Sequence, residues 1–170
     1  MVTVLVLFGQ AAQAQTTPLC FGKRATIVGT SAGDTIKGTP GRDIIVGRGG
    51  HDDIRGLAGA DLICGKLGTD QTIEGGAGND RLRGGRGNDL LVGNEGEDIF
   101  LGGPGNDMIS ALYGKLGDRD TARGGKGSDQ LDMEDGESDD TAAGGPQSDT
   151  CFVDSGDTVR ACEHAGSGYL

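Results

Sequence analysis

One carboxylate recurs along this chain at a nearly fixed interval. Asp34, Asp43, Asp52, Asp61 and Asp70 are nine residues apart. After one extra residue the same spacing resumes at Asp80, Asp89, Asp98 and Asp107, and Asp129 rejoins the pattern further on. Each Asp is sixth in a unit that opens on Gly. A short carboxylate among glycine carbonyls, repeated in this way, offers hard oxygen ligands of the kind a divalent cation takes. Asn and Ser never replace Asp at the sixth place in these units, although a residue used only to form a turn would tolerate either.

The rest of each unit says how these carboxylates are positioned. Places one to six are rich in Gly, Asn and Asp, which accept positive φ and suit a tight turn. The eighth place is apolar: Ile36, Ile45, Ile54, Ile63, Leu82, Leu91, Phe100, Ile109 and Leu131, with Ile73 taking that role in the longer unit 65–74. Three residues with an apolar one in the middle read as a short strand whose central side chain points inward. A turn every nine residues gives two strands per coil of 18 residues, so the expected fold is all-β: a parallel two-sheet solenoid. No unit can bury its apolar residue alone, so stability is shared between neighbours.

Stacking brings Asp34, Asp52 and Asp70 to one edge and Asp43 and Asp61 to the other. Like charges about 5 Å apart, one strand spacing, repel. Ca²⁺ resolves this because it accepts a mixed set of carboxylates and carbonyls, whereas Mg²⁺ demands a strict octahedron and gives up water reluctantly.

These units resemble the RTX (haemolysin-type) nonapeptide, Gly-Gly-x-Gly-x-Asp-x-apolar-x, over 29–110 and 124–132, with weaker echoes to about 159. The resemblance implies a calcium-bound parallel β-roll, with each ion between turns n and n+2, held by Asp carboxylates and turn carbonyls. Carried onto this chain, the pairs are Asp34/Asp52, Asp43/Asp61, Asp52/Asp70, Asp80/Asp98 and Asp89/Asp107. The turns nearest the motif are Gly75-Gly76-Ala77-Gly78, Gly84-Gly85-Arg86-Gly87 and Gly102-Gly103-Pro104-Gly105. Departures are Ala32 in a glycine column, and Thr30, Thr39, Arg48, Leu57, Lys66 and Asn94 at the second place. The extra residue near Thr72 is expected to bulge the roll and spoil an Asp61/Asp80 site.

Composition agrees. Gly is 35 of 170 residues, aromatics are 4%, and Trp is absent, which excludes an ordinary globular core. The net charge of −11 disfavours nucleic acid and anionic membrane as partners and favours cations. Segments 15–28 and 133–170 are too short for a catalytic domain, and neither His-Glu-x-x-His nor Gly-x-Ser-x-Gly occurs, so no enzymatic activity is expected.

The apolar run Val2–Phe8 followed by Ala12-Gln13-Ala14 reads as a signal peptide over 1–14, and seven apolar residues cannot span a bilayer. An extracellular protein is expected, with 15–28 as an N-terminal cap, 29–110 as the roll, 111–123 as an insertion, 124–159 as degenerate repeats and a cap, and 160–170 as a tail. The acidic stretch 133–143 reads as a loose loop. Export permits disulfides. Four Cys allow three pairings; Cys20–Cys64 with Cys151–Cys162 keeps each bridge to its own end of the chain, and a zinc site lacks any Cys-x-x-Cys spacing. Ile44, Val46, Leu62 and Cys64 form an outward apolar strip that the segment around Cys20, Phe21, Ile27 and Val28 is expected to cover; alternatively, Ile27 opens the inner column as a first worn strand. A second strip (Leu90, Val92 and Met108; Ile99 and Leu101) awaits Ala111-Leu112-Tyr113 or a partner. A protein or polysaccharide partner, as for an adhesion, matrix or toxin-accessory protein, fits the same pattern.

Overall fold

The structure, a computed structural model, describes residues 17–111, 118–136 and 139–166. The expected signal peptide, and Leu112 and Tyr113, lie outside them. No helix among the described residues is long and apolar enough to cross a membrane.

A small antiparallel hairpin, β1 (Leu19–Cys20) and β2 (Lys23–Arg24), precedes the solenoid. Strands then alternate between two sheets: β3 (Ile27–Val28), β4 (Thr35–Lys37), β5 (Ile44–Gly49), β6 (Asp53–Ala58), β7 (Leu62–Leu67) and β8 (Thr72–Ala77). The series continues with β9 (Arg81–Arg86), β10 (Leu90–Glu95), β11 (Ile99–Pro104), β12 (Met108–Ser110), β13 (Thr121–Lys126) and β14 (Gln130–Met133). It ends with β15 (Thr141–Ala143), β16 (Thr150–Val153), β17 (Thr158–Arg160) and β18 (His164–Gly166). The odd strands from β3 form one eight-stranded parallel sheet and the even strands from β4 the other. The all-β parallel solenoid is therefore as the periodicity predicts.

The eighth-place residues meet between the sheets. Ile45, Ile63, Leu82 and Phe100 stack from the odd sheet, Ile54, Ile73, Leu91 and Ile109 from the even one, and all are fully buried. The odd column narrows to Ala122 and Ala142. There the space is filled from the turns: Ala111 and Met133, at the place where other turns open on Gly, are themselves fully buried in the same core. Ala111 is thus core rather than a cover for the second strip, and Ile99 and Met108 stay 36% and 47% exposed.

The segment expected as an insertion supplies a further coil. Its last residues begin β13, which pairs in register with β11, Ile99 opposite Thr121. The acidic stretch after β14 likewise leads into β15, in register with β13. The extra residue near Thr72 is absorbed as a β-bulge: the N–H groups of Gln71 and Thr72 both donate to the Asp52 carbonyl, at 2.8 and 3.4 Å. Beyond it the register recovers, Leu62 opposite Arg81.

Both favoured disulfides are present, Cys20–Cys64 and Cys151–Cys162. At the first, Cys20, Val46, Leu62 and Cys64 form a second buried cluster with Phe21, Ala25 and Ile44 against it. The cap thus covers the outward strip. Ile27, by contrast, pairs with Ile45 and packs on the inner core as the first worn strand.

Candidate metal-binding turns

The turns carry the carboxylates in two ladders. Along one edge, Asp34 N–H donates to Asp52 Oδ1 (2.9 Å), Asp52 to Asp70 (3.1 Å), Asp70 to Asp89 (2.9 Å), Asp89 to Asp107 (2.9 Å), Asp107 to Asp129 (2.8 Å) and Asp129 to Asp149 (2.8 Å). Along the other edge the order is Asp43, Asp61, Asp80, Asp98, Asp120, Asp140 and Asp157, with spacings of 2.7–3.2 Å. Every sequence-predicted Asp stands in one of these ladders, including the Asp61–Asp80 rung beside the bulge. Asp120 and Asp140 join them from units that lack the glycine signature.

In ten of these carboxylates one oxygen accepts the rung hydrogen bond and the other is left over. The Oδ2 atoms of Asp52, Asp61, Asp70, Asp80, Asp89, Asp98, Asp107, Asp120, Asp129 and Asp149 are buried and accept no hydrogen bond. A buried charged oxygen without a partner is costly. Burial accordingly raises these acids. Asp70, Asp80, Asp107 and Asp120 are pushed to about 7 and Asp98 to about 9; the N–H of the preceding ladder Asp opposes the rise, and neighbouring carboxylates add to it. Asp52, Asp61, Asp89 and Asp129 are raised too, chiefly by burial.

Glycine at the turns is a matter of backbone contact. The fourth-place residues Gly68, Gly78, Gly87 and Gly105 all have φ above +110°, and a Cβ on each would strike the carbonyl oxygen of the fourth-place glycine one coil back. At the second place Gly76, Gly85 and Gly103 meet the carbonyls of Leu57, Lys66 and Gly85 in the same way. Opening glycines such as Gly75, Gly84 and Gly102 make room for the Oδ2 of Asp80, Asp89 and Asp107. Second- and fourth-place carbonyls therefore face the next coil, and at opening glycines such as Gly56 and Gly102 an unanswered Oδ2 shares its space with the opening carbonyl of the next coil. These residues fit a hard dication: the Oδ2 atoms and turn carbonyls would hold it, and it would supply the positive charge the ladder lacks.

Two turns differ. Asp34 Oδ2 accepts from Thr30 N–H (2.6 Å) and Thr30 Oγ1 (2.9 Å), and Asp43 Oδ2 from Thr39 N–H (2.6 Å) and Thr39 Oγ1 (3.0 Å). The threonines that break the glycine column satisfy the carboxylates themselves. At the far end Asp120, Asp135 and Asp140 bring carboxylate oxygens within 4.8 Å of one another, Asp135 from the acidic stretch outside the nonapeptide pattern.

The sequence profile of the RTX calcium-binding nonapeptide repeat matches the chain in four copies, over residues 28–71, 74–109, 116–132 and 132–159. The last two copies span the coils containing Asp120 and Asp140. No curated protein and no solved structure matches the chain.

Proposed function

Since the chain belongs to the RTX calcium-binding nonapeptide repeat family, we propose that it is a secreted protein whose roll folds as Ca²⁺ enters between its stacked turns. The row of buried, unanswered Oδ2 atoms carries this reading. Without a cation the ladders hold like charges at one strand spacing, in a chain already at −11. Ca²⁺ binds the ordered turns and not the unfolded chain, so binding free energy becomes folding free energy. Two disulfides support an oxidising, extracellular setting, where the ion is plentiful. The role is binding and scaffolding, not catalysis.

Circular dichroism and calorimetry on the disulfide-intact chain test the reading. Strand signal should appear on adding calcium and vanish with EGTA at neutral pH. Equal strand content in chelator and in calcium would overturn it. A second reading, an extracellular adhesion or matrix scaffold, draws on the exposed Ile99 and Met108; calcium-dependent self-association in the ultracentrifuge would favour it.

A further inference from the structure

Charge is sorted between the two faces of the roll. The odd-sheet strands contain Arg48, Lys66, Arg81, Arg83, Arg86, Arg123, Lys126 and Arg160 and no Asp or Glu. The even sheet carries Asp53, Glu74, Glu95 and Asp132 against Lys37 and Arg55. A wholly cationic face on a chain of net charge −11 is not what composition alone would give.

That face is grooved. Second-place glycines, Gly85, Gly103, Gly125 and Gly145, leave a floor without side chains. Depressions of about 730 and 470 Å³ lie over it, one on each side of Gly103 and Pro104, which line both, and together they make a shallow channel followed from β5 to β15. From β9 on, the walls alternate from coil to coil: Arg83 and Arg86 on β9, Leu101 and Pro104 on β11, Arg123 and Lys126 on β13, then Ala143 and Pro146; nearer the cap the first depression is also lined by Arg48 on β5 and by Lys66 and Leu67 on β7. Strands two apart in a sheet put the two cationic pairs roughly 10 Å from each other, with an apolar rung between. Arg86, Arg123 and Lys126 are exposed and form no ion pair with a described residue. Arg83 and Arg81 lie 4.8 and 4.5 Å from the Phe21 ring centroid, and Lys66 Nζ donates to the Leu19 carbonyl at 2.8 Å, so the cap holds the near end of the channel.

We propose that this channel docks a linear glycan in which an acidic sugar alternates with a neutral one. The cationic pairs take the carboxylates, and the Leu101–Pro104 rung takes the apolar face of the neutral ring between them. An extended acidic peptide fits less well. Its same-face side chains recur about every 7 Å, and the channel offers a sheet face rather than an open edge, so its backbone groups would find no ladder.

The test uses the full chain in saturating calcium, with strand signal monitored so that loss of the fold is seen separately. The probe is an octasaccharide of alternating glucuronate and N-acetylglucosamine, measured by calorimetry against its carboxyl-reduced form, oligoglutamate and vesicles containing phosphatidylglycerol. Binding should be confined to the acidic glycan and should weaken with salt. Arg86→Glu with Arg123→Glu should weaken it about tenfold or more, because two rim charges are reversed. Arg55→Glu, on the opposite sheet, should leave it unchanged. Absence of binding, equal binding of the reduced glycan, preference for oligoglutamate or vesicles, or equal damage from Arg55→Glu would each overturn the proposal.

Discussion

The backbone N–H of Asp80 donates to Oδ1 of Asp98 at 2.8 Å, while Oδ2 of Asp98 is buried and accepts nothing. The ladder thus aligns successive coils and, at the same rung, leaves a charge that only a proton or a cation can answer. Register and ion demand come from one side chain.

Protons and calcium should therefore compete for the fold. In the metal-free protein burial raises Asp70, Asp80, Asp107 and Asp120 to about 7 and Asp98 to about 9, against 3.8 for an unperturbed carboxyl. Below the unfolded value both states are protonated and these groups cost nothing. Above it the folded state binds more protons than the unfolded one, so stability falls as pH rises toward neutrality. In EGTA, melting temperature and strand signal should be higher at pH 5 than at pH 8, and calcium should remove that slope. A metal-free stability that rises between these pH values would contradict the assignment.

Asp98→Asn separates the two roles of that residue. The amide oxygen still accepts the Asp80 N–H, so the rung survives, but the charge is gone. The metal-free roll should gain stability, on the order of 1 kcal/mol, because a buried unpaired charge is removed. The calcium-loaded roll should lose about 1–3 kcal/mol with the loss of a charged ligand. Paired thermal melts in EGTA and in calcium read the two signs, and a shift of the same sign in both would show that Asp98 is structural only.

The ladders and the core were legible in the sequence wherever Gly, Asp and the eighth-place apolar residue occur together. Asp120 and Asp140 escaped that reading because their turns open on Ala111 and Met133 and their strands centre on Ala122 and Ala142, small residues with little hydrophobic signal. A fainter mark was present: Asp-Thr-Ala-x-Gly-Gly occurs at both 120–125 and 140–145. The fill of the core by Met133 could not be read from spacing, since it depends on the cavity that two alanines leave across the sheet. Thr30 and Thr39 were visible as departures from glycine, but their hydrogen bonds to the carboxylates needed coordinates.

Thr39→Val tests whether the first turns are self-sufficient. It deletes the 3.0 Å hydrogen bond from Thr39 Oγ1 to Asp43 Oδ2 and the 3.2 Å bond that Thr39 Oγ1 accepts from Gly41 N–H, and keeps the 2.6 Å bond from the backbone N–H of residue 39. The loss should be about 1 kcal/mol, equal with and without calcium. Calcium stoichiometry by calorimetry should stay the same, because this turn already answers its own carboxylate. A drop in stoichiometry would mean that Thr39 sits in a metal site.

Glycines at the same place in different turns should differ sharply in tolerance to alanine. Gly87 has φ of +127°, and a Cβ there would run into the Gly68 carbonyl, a backbone atom fixed by the coil behind it. Gly41 has no positive φ, and its nearest neighbour would be Thr39 Oγ1 at 4.0 Å. Gly87→Ala should cost about 2–4 kcal/mol in calcium, through both strain and separation of the coils. Gly41→Ala should stay within about 0.5 kcal/mol of the parent, as a substitution in open space does. The comparison also bears on the ion. Forcing the two coils apart at Gly87 moves the carbonyls that face along the axis, so Gly87→Ala should weaken calcium binding beyond what its loss of stability explains, whereas Gly41→Ala should leave the titration unchanged. If Gly87→Ala binds calcium as the parent does once both are folded, the turn carbonyls are not ligands and the carboxylates act alone.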